Sequence, residues 1–168
     1  VFAVGVAVLV VDGKGGRMTR TAVQPADKNR MTRAFRFALS EAGGASIVED
    51  TTVLGQDAAA WRHLYQSPGQ RRDLYEKGWN GWFAGARVEK VDMPYLGALS
   101  RPVTVHAEGT APRLGGEVAG TRRIPALGRV SELAEGWART SKRSHDLVLD
   151  HPFMADETAI FALPEGRR

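Results

Sequence analysis

Residues 31 to 55 constrain the fold more than any other part of the chain. In "MTRAFRFALS" the apolar Phe35, Phe37 and Leu39 alternate with Arg36 and Ala38, the period of two that marks a strand with one face buried. The run "ASIVEDTTVLG" follows after Glu41-Ala42-Gly43-Gly44, a connection whose length and glycine content close an antiparallel hairpin. An isolated hairpin is marginal in water, so the rest of the chain has to supply more strands or a helical layer.

Both are at hand. "VAVLVVDGKGG" (6–16) is an apolar run closed by a glycine-rich turn, with "RMTRTAV" as its return. "TAVQPADKN" reads as an extended crossing around Pro25. Between residues 57 and 83 the apolar period lengthens toward four. Asp57 is placed to cap a short helix carrying Trp61, Leu64 and Tyr65 on one face, and Ser67-Pro68 to start a second. In that second helix Leu74, Tyr75, Gly78, Trp79, Trp82 and Phe83 form one stripe, with Gly78 and Gly81 available for close approach to a sheet.

Strands resume with "ARVEKVDM" (86–93) and "RPVTVHAEGT" (101–110), whose alternation puts His106 on the polar, solvated face. Residues 111–128 are rich in Gly and Pro and read as irregular, and "VSELAEGWARTSKR" (130–143) as one short helix. "HDLVLDHP" and "ETAIFALP" read as two final strands with "FMADE" turning between them, so that His151 falls at a solvated strand end. The expected class is α+β: a mainly antiparallel twisted sheet or sandwich with a helical insertion around residues 57–83.

The composition narrows function mostly by exclusion. The 168 residues contain no Cys, so the segment has neither thiol nucleophile nor thiolate metal site, and an extracytoplasmic bacterial location suits that absence. No apolar run reaches membrane-spanning length. The formal charge of +4 comes from scattered pairs such as Arg71-Arg72 and Arg122-Arg123, not from the dense basic stripe that nucleic acid requires. The glycines after Asp12 lack phosphate-loop spacing, and no serine elbow is present. His145 and His151 lie near several acids without metal-ligand spacing, so neither a metal nor a cofactor is expected. Whether Glu49-Asp50 and Asp156-Glu157 are paired carboxylates for glycoside hydrolysis or surface acids is decided by distances that the sequence does not give. Trp79, Trp82 and His151 remain as candidate binding residues, the two tryptophans for an envelope glycan or peptide strand.

The order of pieces carries a resemblance. "LVVDGKGGRMTRT", "NRMTRAFRFALSEAGGASIVEDTTVLGQDAAAWR", "GARVEKVDM", "SRPVTVHAEG" and "RSHDLVLDHPFMADETAIFALPEG" resemble the C-terminal domain of unknown function in bacterial transglutaminase-like multidomain proteins. The ending is the most specific marker: Arg143, Asp146 to Leu149, Pro152 and Leu163-Pro164-x-Gly166. The resemblance implies that residues 1–25 are lead-in strands leaving an upstream papain-fold core in the same polypeptide, and that residues 26–168 are a β-rich accessory domain. It implies that any Cys-His-Asp machinery lies upstream of Val1, which begins without an initiator Met. No catalytic residue is carried over. The alternatives are a cell-envelope glycan- or peptide-binding module and a hydrolase with an unrecognised site.

Overall fold

The hairpin of residues 31–55 is the centre of the structure, a computed structural model that describes residues 5–124, 142, 144 and 151–166. Strands β1 (Ala7–Asp12) and β2 (Gly15–Arg20) form a two-stranded antiparallel ribbon. Strands β3 (Arg30–Leu39) and β4 (Ala45–Val53) pair antiparallel from Met31↔Val53 to Leu39↔Ala45. Helices α1 (Gln56–Leu64) and α2 (Arg71–Asn80) follow, then β5 (Arg87–Asp92) and β6 (Val103–Ala111). A short ribbon of β7 (Gly116–Val118) and β8 (Thr121–Arg123) lies within residues expected to be irregular. Its turn gives positive φ to both Ala119 and Gly120, which matches the twist of paired strands. The helix expected at 130–143 lies largely outside the described residues, as do residues 145–150 of the penultimate strand.

The last strand, β9, runs Met154–Ala162. It starts within the stretch expected to turn, because Met154 N–H donates to Asn29 O at 2.9 Å and begins a parallel ladder with β3. The main sheet has the order β5-β6-β4-β3-β9, so the fold is α+β with one parallel pair in an otherwise antiparallel sheet.

Period two gives the sheet its two characters. Met31, Phe35 and Phe37 of β3, Ile47 and Val53 of β4 and Val103, Val105 and Ala107 of β6 are buried on one face, where Tyr65, Tyr75, Trp79 and Phe83 cover them. Phe35 and Phe37 stack at 5.5 Å, Phe83 meets both edge-on, and Phe161 of β9 stacks on Phe37 at 4.9 Å. Close approach of α2 is permitted by the sheet's Gly109, where a β-carbon would stand 3.0 Å from the Trp79 ring. The helical Gly78, by contrast, faces open space.

Two helix expectations are corrected. Asp57 is not the cap of α1: Gly55 occupies that position, and Asn29 reaches across with Oδ1 to accept the Gln56 N–H at 3.1 Å. The stripe also outruns its helix. Pro68–Gln70 is a 3₁₀ turn before α2, which stops at Asn80, so Trp82 and Phe83 sit beyond it. Phe83 turns into the core and Trp82 stays 40% exposed.

Candidate functional site

The largest concentration of polar chemistry lies inside the core. Glu49 occupies the inward parity of β4 with Ala45, Ile47, Thr51 and Val53, and it is 1% exposed. Its Oε1 accepts from Tyr75 OH at 2.7 Å and from Thr51 Oγ1 at 2.6 Å, while Oε2 accepts from Trp79 Nε1 at 2.6 Å. Arg33, at the inward parity of β3, brings Nε to 3.1 Å from Glu49 Oε1 and Nη1 to 3.4 Å from Glu157 Oε1 of β9. Its guanidinium carbon stands 4.6 Å from the Trp82 ring centre, within cation–π range.

A buried carboxylate is tolerated only when paired and hydrogen-bonded, and Glu49 satisfies both conditions. Burial, reinforced by the Glu49 charge, pushes the Tyr65 phenol up to about 12. The same two causes push Tyr75 further up, so it remains a hydrogen-bond donor to Glu49. Both Glu49 oxygens are occupied by donors and the side chain is closed to solvent. The cluster ties β3, β4, β9 and α2 together.

The second cluster crosses the opposite face of the sheet. His106 Nδ1 lies 2.7 Å from Asp50 Oδ1 and its Nε2 2.9 Å from Glu108 Oε1. Arg36 Nη2 donates to Asp50 Oδ2 at 2.6 Å and Lys90 Nζ to Glu108 Oε1 at 2.9 Å. The result is a line Arg36–Asp50–His106–Glu108–Lys90 over four strands. Hydrogen bonds to Asp50 and Glu108 raise the His106 pKa, the bond to His106 lowers that of Asp50, and Lys90 followed by His106 lowers that of Glu108. His106 is therefore bonded through both ring nitrogens rather than simply solvated.

The sequence candidates separate. Trp79 is buried and committed to Glu49, so it offers no platform to a sugar. Trp82 presents part of its ring but lies against Arg33 and edge-on to Phe35 at 6.0 Å. His151 does not face water at a strand end. Its side chain is 17% exposed, with Nε2 3.6 Å from Asp57 Oδ1 in the first turn of α1 and its ring beside Phe153. The three residues do not converge on one site. Of the acids the sequence leaves unassigned, Glu49 is the centre of the core, and Asp156 and Glu157 pair with Arg30 and Arg33.

Away from these clusters, Arg62 of α1 donates to the carbonyls of Leu96, Ala98 and Arg101 and clamps the loop before β6. Among the described residues no three His, Asp or Glu side chains gather to hold a metal ion, and no helix is long and apolar enough to cross a membrane. No family model matches the chain, and neither a curated protein nor a solved structure matches it.

Proposed function

We propose that this chain is a non-catalytic accessory domain that supports or orients a transglutaminase-like enzyme core lying upstream in the same bacterial, extracytoplasmic polypeptide. The observation that carries this reading is the β1–β2 ribbon. It hydrogen-bonds to no other described strand, yet Leu9 and Met18, directly opposed in its register, are 60% and 67% exposed beside the exposed Val11. The other face of β1 carries Val8 and Val10. A strand apolar on both faces belongs inside a larger assembly, and a two-stranded ribbon needs packing from outside itself. The commitment of Glu49, Trp79 and His106 to internal bonds further favours support over chemistry.

The test is hydrogen exchange on the chain alone and on the chain joined to the polypeptide encoded upstream of Val1. Ribbon amides are expected to be protected at least tenfold more in the joined form, since opening then requires undocking, and Leu9→Asp should remove the difference. An upstream frame without a papain-like core, or equal protection in both forms, overturns the proposal.

A further inference from the structure

At the end of the sheet where β3 and β9 finish, the β7–β8 ribbon stands off the β3–β4 turn and leaves a cleft of about 350 Å³. Its apolar wall is made by Leu39, Ile124, Leu163 and Pro164. Its polar groups are Glu41 from the β3–β4 turn and Glu117 and Arg122 from the ribbon, with Ser40 and Thr121 between them. The ribbon is anchored there by the Leu114 N–H, which donates to Gly43 O at 2.9 Å.

The Arg122 guanidinium lies over the β3–β4 turn. Gly43 has φ +94°, and a β-carbon on it would lie 2.6 Å from an Arg122 guanidinium nitrogen, so the missing side chain makes room for the cation. Among the described residues, Arg122, Glu41 and Glu117 have no ion-pair or side-chain hydrogen-bond partner. On the open sheet face, by contrast, Arg36, Asp50, His106, Glu108 and Lys90 answer one another. The cleft thus combines an apolar wall with a cation, Arg122, that faces Glu117 across the ribbon, and a second anion, Glu41, none of them ion-paired among the described residues.

We infer that this cleft binds a short peptide bearing both a free ammonium and a free carboxylate. Arg122 receives the carboxylate, Glu41 and Glu117 the ammonium, and the wall of Leu39, Ile124 and Leu163 an apolar side chain between them. Few convergent polar groups on an apolar lining are the usual composition of a small-ligand site. The volume equals that of about a dozen liquid waters at roughly 30 Å³ each, the size of a dipeptide. The inference does not rest on the docking role of the β1–β2 ribbon, which is a different part of the molecule.

The experiment titrates isotope-labelled protein with alanyl-leucine and follows the Leu39, Ile124 and Leu163 methyl signals and the Arg122 side-chain signal. Saturable shifts with a millimolar or tighter Kd are expected. Arg122→Gln should weaken binding about tenfold or more, as for loss of one charge-assisted contact. The pair Glu41→Gln and Glu117→Gln should weaken alanyl-leucine similarly while leaving binding of N-acetyl-alanyl-leucine, which lacks the ammonium, unchanged. All three residues are exposed, so these variants fold. No saturable shift up to about 20 mM, a range that reaches past millimolar affinity, overturns the inference. So does equal binding of N-acetyl-alanyl-leucine amide, which would reduce the cleft to an apolar surface, or a Kd indifferent to Arg122→Gln.

Discussion

Glu49 and Asp50 are consecutive residues of one strand, both acids, and they meet opposite fates. The pleat sends Glu49 to the face covered by α1 and α2, where water is excluded and four donors surround it. It sends Asp50 to the open face, where it shares a line of charges with Arg36 and His106 and keeps 46% of its side chain in solvent. The groups in the two networks are similar: carboxylates, an arginine, neighbouring donors. What differs is the medium. In the core a missing partner leaves an uncompensated charge in a poor dielectric, whereas on the open face water replaces it at small cost.

The sharpest way to break this contrast is Glu49→Ala. It leaves Arg33 buried without its closest counter-charge, holding only the longer contacts to Glu157 and Thr51 and the Trp82 ring, and a destabilisation of about 3–5 kcal/mol is expected, the range for one half of a buried pair. Urea unfolding measures it. Replacing both charges, Glu49→Leu with Arg33→Met, should cost markedly less than the sum of the single changes, because neither member of the pair is left buried without the other. An additive double mutant would show that the pair is not the unit.

Trp79→Phe keeps the ring in the core and removes the N–H that Glu49 Oε2 accepts. A loss of about 1–3 kcal/mol follows from one unmade bond to a buried charged group. Trp82→Ala tests the border between the two regions. With the ring partly exposed and stacked on Arg33, we expect about 1–2 kcal/mol, less than for a fully buried aromatic. A melting midpoint that falls as far for Trp82→Ala as for Trp79→Ala would place Trp82 in the core.

The smallest effect belongs to His106→Gln, about 1 kcal/mol or less because the network is open to solvent and screened by salt. Its pH dependence is distinctive. The raised His106 pKa means that its contribution is fully present below the unfolded value of about 6.5 and is lost as pH rises through the higher folded value. The lowered Asp50 pKa means that its contribution is present above about 3.8 and is lost as pH falls through the lower folded value. Wild type should therefore exceed His106→Gln in stability mainly between about pH 4 and 6.5, with the gap closing as pH rises through the higher folded His106 value and at high salt. A gap that widens with rising pH would invert the assignment.

Periodicity alone determined the central hairpin, its register faces, the return strand after Asp12, both helices in outline and the mainly β character. These depend on contacts between near neighbours, which spacing encodes. The same parity also encoded the core cluster: Arg33 keeps step with Phe35 and Phe37, and Glu49 with Ile47 and Val53. Reading charge as exposure hides it, since hydropathy scores each side chain singly and a buried pair is favourable only jointly. Only the tertiary structure decided that Tyr75 and Trp79 supply the hydrogen bonds Glu49 needs, that Asn29 caps α1 from 27 residues away, and that β9 joins β3 in parallel and so starts at Met154. It also decided that α2 ends before Trp82 and that His151 lies against α1. Each of these depends on groups brought together by long-range pairing, whose geometry no local pattern contains.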